Sequence, residues 1–170
     1  MISDSCSTEL IAADSSDPRA LRSLLGQFAT GVTAITTRGV DGRKIGMTAN
    51  SFSSVSLDPP LVLWSLARTA ASLNDFVATS HFAVNVLGGD QHDLSGHFAR
   101  PSMDKFADVA HLEGTAGVPM LEGAIATQYE RGDHLIFLGE IEHYRHSGGE
   151  PLVFHAGKYR LAVAHPSLGH

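Results

Sequence analysis

The order of apolar and polar positions along the chain predicts a mainly β protein with a few short helices. After a polar stretch ending at Asp17-Pro18, Leu21, Leu24, Leu25 and Phe28 recur at helical spacing and make one apolar face. Asp17 suits the N-cap, Pro18 the first turn, and Gly31 a stop beyond the last one. From Val32 to Thr37 the pattern turns β-branched, Gly39-Val40-Asp41-Gly42 makes a turn, and a second run starts at Lys44. This predicts a hairpin. Phe52 to Leu57 continues extended and Asp58-Pro59-Pro60 breaks it, whereas Leu61 to Leu66 is apolar at nearly every position, as in a strand covered on both faces.

Ser72 to Thr79 predicts a short helix with Leu73, Phe76 and Val77 on one side and Thr69 or Ser72 as its cap. His81 to Leu87 returns to strand, Gln91 to Arg100 to helix, and the stretch to Val118 is irregular. Two longer β runs follow, Ala124 to Glu130 and His134 to His146, the second carrying Leu135, Phe137, Gly139 and Ile141 on one face. Leu152 to His155 and Tyr159 to Val163 then flank an Ala156-Gly157-Lys158 turn. About seven strands at short spacing with two or three helices predict an antiparallel barrel, closed or nearly so, because closure removes exposed strand edges. The expected organisation is one domain, 18–163, between a flexible N-terminal tail, 1–17, and a C-terminal tail, 164–170.

Composition narrows the classes. With 170 residues and 43% hydrophobic content the chain holds one well-buried core. Twelve Lys+Arg against 18 Asp+Glu give a net charge of -6, and the basic residues are scattered. That excludes a nucleic-acid surface. Cys6 is the single cysteine, so no intramolecular disulfide forms and a reducing compartment is expected. The first residues lack the basic region and apolar core of a secretory signal, and no apolar run approaches the ~20 residues of a membrane span, so the expectation is a cytosolic protein.

Three segments are candidates for chemistry. In Gly46-Met47-Thr48-Ala49-Asn50-Ser51, small and hydroxylated residues stand where a strand would otherwise pack Val and Ile, which leaves the backbone accessible. A flavin ring, with an apolar face and an edge of alternating donors and acceptors, needs such a stretch. A polar solvent-facing strand is the plainer reading. Ser65-Leu66-Ala67-Arg68-Thr69-Ala70-Ala71-Ser72 joins an apolar strand to a helix start, where an Arg and several hydroxyls suit a phosphate. An ordinary cap beside a solvated Arg68 is the alternative. Gly132-Asp133-His134 is a turn that delivers a histidine to the mouth of a long strand, either toward a second substrate or simply into solvent.

Taken in order, these pieces resemble the flavin reductase family that supplies reduced flavin to two-component monooxygenases. The resemblance is carried by Gly31-Val32-Thr33, Gly46-Met47-Thr48-Ala49-Asn50-Ser51-Phe52, Asp58-Pro59-Pro60-Leu61, Phe82-Ala83-Val84-Asn85-Val86-Leu87, Phe98-Ala99, Lys105-Phe106 and Gly132-Asp133-His134. It runs from Pro18 to about Val163. It implies a split β-barrel, a homodimer with flavin near the subunit interface, FMN or FAD as the flavin, NADH or NADPH as hydride donor, and a flavin-dependent monooxygenase as the recipient. By the same resemblance Met47, Thr48, Ala49, Asn50 and Ser51 lie along the flavin ring. Ser65, Leu66, Arg68 and Ser72 lie near the ribityl chain and phosphate, and His134 lies near the nicotinamide. The stretch Phe154 to Arg160 resembles a C-terminal segment close to the site, with no role implied for any one residue.

No Gly-x-Gly-x-x-Gly occurs, so no dinucleotide-binding βαβ unit is expected. A flavin- or haem-binding split barrel without turnover is a competing reading. A metal hydrolase is another, prompted by His143-x-x-His146 and by His92 near His97, but no His-Glu-x-x-His arrangement and no cysteine pair accompany them. No metal ligand is assigned.

Overall fold

The computed structural model describes residues 16–102, 104–114, 117–119, 123–131, 133–145 and 148–166, of which 123–131 by backbone alone. Cys6, Gly132 and His146 lie outside the described residues. Helix α1 spans Pro18–Leu25, and the Asp17 carboxylate accepts from the amides of Arg19 at 3.1 Å and Ala20 at 3.0 Å. The cap is the predicted one; the stop is not. The helix ends at Gly26, whose amide donates to the Arg22 carbonyl at 2.9 Å, and Gly31 belongs to β1, Thr30–Gly31. The apolar face of α1 meets no core among the described residues: Leu24, Leu25 and Phe28 are 67%, 66% and 78% exposed.

Among the described residues the fold is mainly β with three short helices. Strands β2 (Thr33–Arg38), β3 (Lys44–Ala49), β4 (Ser53–Leu57), β5 (Pro60–Ala67), β6 (His81–Val86), β7 (Gly123–Arg131) and β8 (His134–Glu140) make an antiparallel sheet in the order β3-β2-β6-β7-β8-β5-β4. A second sheet, β1-β9-β10, adds β9 (Leu152–His155) and β10 (Lys158–Leu161). The remaining helices are α2 (Leu73–Ala78) and α3 (His92–Ala99). No helix among the described residues is long and apolar enough to cross a membrane.

The outer strands of the larger sheet, β3 and β4, do not pair, yet they are consecutive in the chain. Both edges of the sheet therefore converge on Asn50-Ser51-Phe52.

Two predictions from the strand pattern are corrected. The strand covered on both faces is β2, where Thr33 to Thr37 are all buried, rather than β5, where Val62, Trp64 and Leu66 are buried but Leu61, Leu63 and Ser65 only half so. Burial of the β2 threonines is tolerable because each hydroxyl donates to a backbone carbonyl: Thr33 to Ala49 at 2.8 Å, Thr36 to Pro119 at 2.7 Å, Thr37 to His81 at 2.7 Å. Strand β8 stops at Glu140, short of His146. The Ile141 amide still bonds the carbonyl of Pro60, the first residue of β5, and beyond that point β5 offers no partner.

Among the described residues two clusters make the core. Trp64 stacks on Phe137, directly opposite it in the β5–β8 ladder, with ring centres 4.4 Å apart at 8°; Phe76 of α2 and Phe82 of β6 stand edge-on at 5.0 and 5.7 Å. Each such pair contributes about 0.5–1.5 kcal/mol beyond the area it buries. This cluster fixes β5 and α2. The second, Val32, Ala34, Leu87, Phe98, Phe106 and Leu152, seats α3 beside β3. A Cβ at Gly46 would lie 2.5 Å from the Phe98 ring, so glycine is what lets α3 come this close.

Candidate functional site

The candidate site gathers around the junction of β3 and β4. Gly46 itself is buried, so the accessible backbone expected of this segment begins further on, at half-buried Met47 and Thr48 and exposed Asn50. The polar side chains here face their own protein. The Thr48 hydroxyl donates to the Ser95 carbonyl at 2.6 Å, and the Asn50 side-chain amide donates to the Thr30 hydroxyl at 3.3 Å. Ser51 is used twice over: its hydroxyl donates to the Ser65 carbonyl and accepts from the Ser65 amide, both at 3.0 Å. The segment's side chains are thus engaged with their own protein, and the backbone amides of Asn50 and Ser51 have no partner among the described residues. An edge-on acceptor of a planar ring would find donors there.

The Ser51–Ser65 bonds tie this junction to β5, whose far end opens into the second predicted segment. Leu66 points into the core, Ala67 ends the strand and Arg68 begins a turn. In that turn the Arg68 amide donates to the Asp133 carbonyl at 2.9 Å and the Ala70 amide to the Ala67 carbonyl at 2.9 Å. The amides of Thr69, Ala71 and Ser72 have no partner among the described residues. Ser72 takes the N-cap place of α2 but makes no capping bond with its side chain, and its hydroxyl has no partner among the described residues. Three amides and two hydroxyls at one turn suit an anionic group.

His134 stands at the same place. It opens β8 directly opposite Ala67, and its Nδ1 lies 2.8 Å from the Asp133 carboxylate. Nδ1–H donating to that carboxylate leaves Nε2 for another partner. The His134 hydrogen bond in turn holds the Asp133 carboxyl below the usual carboxylate range. The three segments singled out in the sequence therefore meet: Ser51 bonds Ser65, and the turn after Ala67 bonds the residue before His134.

Residues 25–162 match the family model described as a flavin reductase like domain. The chain belongs to this family. It is 42% identical over 148 residues to the FMN reductase (NADH) SmoA of Agrobacterium fabrum, covering 83% of this chain and 84% of that one. It is 43% identical over 148 residues to the reductase component of the flavin-dependent trigonelline monooxygenase of Acinetobacter baylyi, covering 83% of this chain and 48% of that one. The NADH:FAD oxidoreductase SgcE6 of Streptomyces globisporus, solved with NAD and FAD fragments, superposes with a TM-score of 0.84 at 39% identity, covering 94% of this chain and all of the other. The chain spans about half the length of two curated relatives, 48% of one and 50% of the other.

Two residues around the site of this flavin reductase-like domain, Thr30 and Ser95, escape a reading of the sequence, and a third, Tyr159, lies in the Phe154 to Arg160 stretch whose resemblance gave it no role of its own. Ser95, fully buried in α3, has its hydroxyl 2.9 Å from that of Tyr159 in β10, and the ring of Tyr159 stands edge-on to Phe154 at 5.6 Å. No local pattern announces a bond between residues 64 apart. Among the described residues no three His, Cys, Asp or Glu side chains come together as metal ligands.

Proposed function

We propose that this chain reduces FMN or FAD with NADH or NADPH and passes the reduced flavin to a flavin-dependent monooxygenase. The observation that carries the reading is that two sets of amides without a partner among the described residues, those of Asn50 and Ser51 and those of Thr69, Ala71 and Ser72, lie on segments joined through β5 by the Ser51–Ser65 bonds. A flavin bound there supplies a two-electron acceptor for a hydride from the nicotinamide. The protein's task is to hold two rings in contact, which needs no nucleophile.

In this reading Met47, Thr48 and Ala49 form the wall along the ring, and the amides of Asn50 and Ser51 offer hydrogen bonds to its polar edge. Fixed donors of this kind stabilise the negative charge that reduction places on the ring. Ser65 and Leu66 carry the strand to the turn where Arg68, Thr69 and Ser72 hold the phosphate. His134, oriented by Asp133, places the nicotinamide through Nε2. The relatives are named as reductases, which favours turnover over flavin or haem binding alone.

The same reading makes residues 18–163 one split-barrel domain. Its support is that the unpaired edge strands β3 and β4 meet at Ser51, which bonds back to β5. It also makes the chain a homodimer, supported by the uncovered apolar face of α1. The test is oxidation of NADH and NADPH by the purified chain with FMN and with FAD. At least one pairing runs faster than the same mixture without protein; no acceleration in any of the four refutes the reading.

A further inference from the structure

The segment from Thr48 to Asn50 is tied to the three-stranded sheet by two separate routes. At one end, the Thr48 hydroxyl donates to the Ser95 carbonyl at 2.6 Å, and the Ser95 hydroxyl meets that of Tyr159 at 2.9 Å. At the other, the Asn50 side chain donates to Thr30 at 3.3 Å, and Thr30 lies opposite Phe154, the ring against which Tyr159 packs. The two routes close on each other at Phe154 and Tyr159.

Every residue of β10 is exposed, and among the described residues β10 pairs only with β9. Ser95, in contrast, is fully buried, and a buried hydroxyl without a partner is costly. Tyr159 is the partner found for it, although the tyrosine is itself 41% exposed. A tyrosine that reaches from an edge strand to a buried serine, whose own carbonyl holds a residue of the candidate flavin wall, couples the C-terminal hairpin to that wall.

We propose that Tyr159 is a positioning residue for flavin: through Ser95 it fixes Thr48, and so sets the placement of the Asn50 and Ser51 amides. It touches the site only through other residues. The inference rests on the proposed flavin-binding role of the 48–51 segment. It adds that the C-terminal hairpin sets flavin affinity.

The test uses the full chain with Tyr159→Phe, which keeps the ring against Phe154, with Ser95→Ala, and with both. Flavin Kd is read by quenching of Trp64, the single tryptophan, beside the thermal midpoint and the KM of the nicotinamide. Tyr159→Phe raises flavin Kd about three- to tenfold, the worth of one hydrogen bond, and leaves the nicotinamide KM within about twofold. Ser95→Ala does the same, and the double variant is no worse than either single one, because both remove one linkage. A Tyr159→Phe chain that binds flavin like the wild type, whatever its thermal midpoint, overturns the inference alone. A wild-type chain that binds neither FMN nor FAD overturns the flavin reading, and this inference with it.

Discussion

The hydroxyl of Ser51 donates to the carbonyl of Ser65 and accepts from its amide, both at 3.0 Å, so one side chain closes the gap between the β3–β4 junction and β5. A backbone group of β5 that would otherwise bond a neighbouring strand bonds a side chain instead. The sheet order leaves β3 and β4 as edges, and this contact is where they are gathered.

Ser51→Ala removes both bonds and leaves the Ser65 amide and carbonyl part-buried without partners. The expected loss is about 1–3 kcal/mol of stability, read from urea denaturation. Flavin Kd rises as well, since the Ser51 amide is no longer fixed. Unchanged stability and affinity together would show that the contact carries neither.

His134→Ala is expected to raise the KM of the nicotinamide more than the Kd of flavin, because the histidine sits at the turn end of the site rather than beside Asn50 and Ser51. Steady-state kinetics and flavin titration of the same preparation separate the two. Equal loss of both contradicts the role given to His134.

Gly46→Ala forces a methyl group to within 2.5 and 2.7 Å of Phe98 ring atoms. The overpacking costs about 1–3 kcal/mol, and Phe98→Leu in the same chain recovers part of it. Denaturation of the single and double variants checks this, and additive losses would place the strain elsewhere.

Lys44 at 3.0 Å and Arg38 at 2.8 Å bond the Glu113 carboxylate and hold its carboxyl below the usual carboxylate range, the Lys44 hydrogen bond contributing most. A depressed folded value means that the stabilisation is fully present above the unfolded pKa of about 4.3 and is lost as pH falls through the lower folded one. Carbon-13 NMR titration of the Glu113 carboxyl should show the low midpoint. Glu113→Gln should flatten that part of the acid limb, and because the group is exposed the effect on stability is small.

What was legible in the sequence was local. Asp17 before Pro18 marks a helix start, Gly39 to Gly42 between β-branched runs marks a hairpin, and both stand where predicted because their causes lie within a few residues. The turn predicted at Ala156-Gly157-Lys158 is found one residue shorter, with Ala156 and Gly157 at φ of 48° and 77° and Lys158 already opening β10. Burial was less legible: the apolar run of β5 looks more enclosed than the threonine-rich β2, yet β2 puts Ile35 into one core cluster and Ala34 into the other, so both of its faces are covered. At the site, the segments around Thr48, Arg68 and His134 were each visible by residue type. Their meeting depends on the β5–β8 register and on Ser51, and the link from Tyr159 to Ser95 depends on how the second sheet packs; neither has a local signature.

The most direct test of the account is reduction of flavin without oxygen. With oxygen excluded, the chain is mixed with FMN or FAD and with NADH or NADPH, and loss of the oxidised flavin's visible absorbance is followed in time. In at least one pairing the absorbance falls faster than without protein, with a rate that saturates in flavin. Decay at the protein-free rate in all four pairings would contradict hydride transfer at this site.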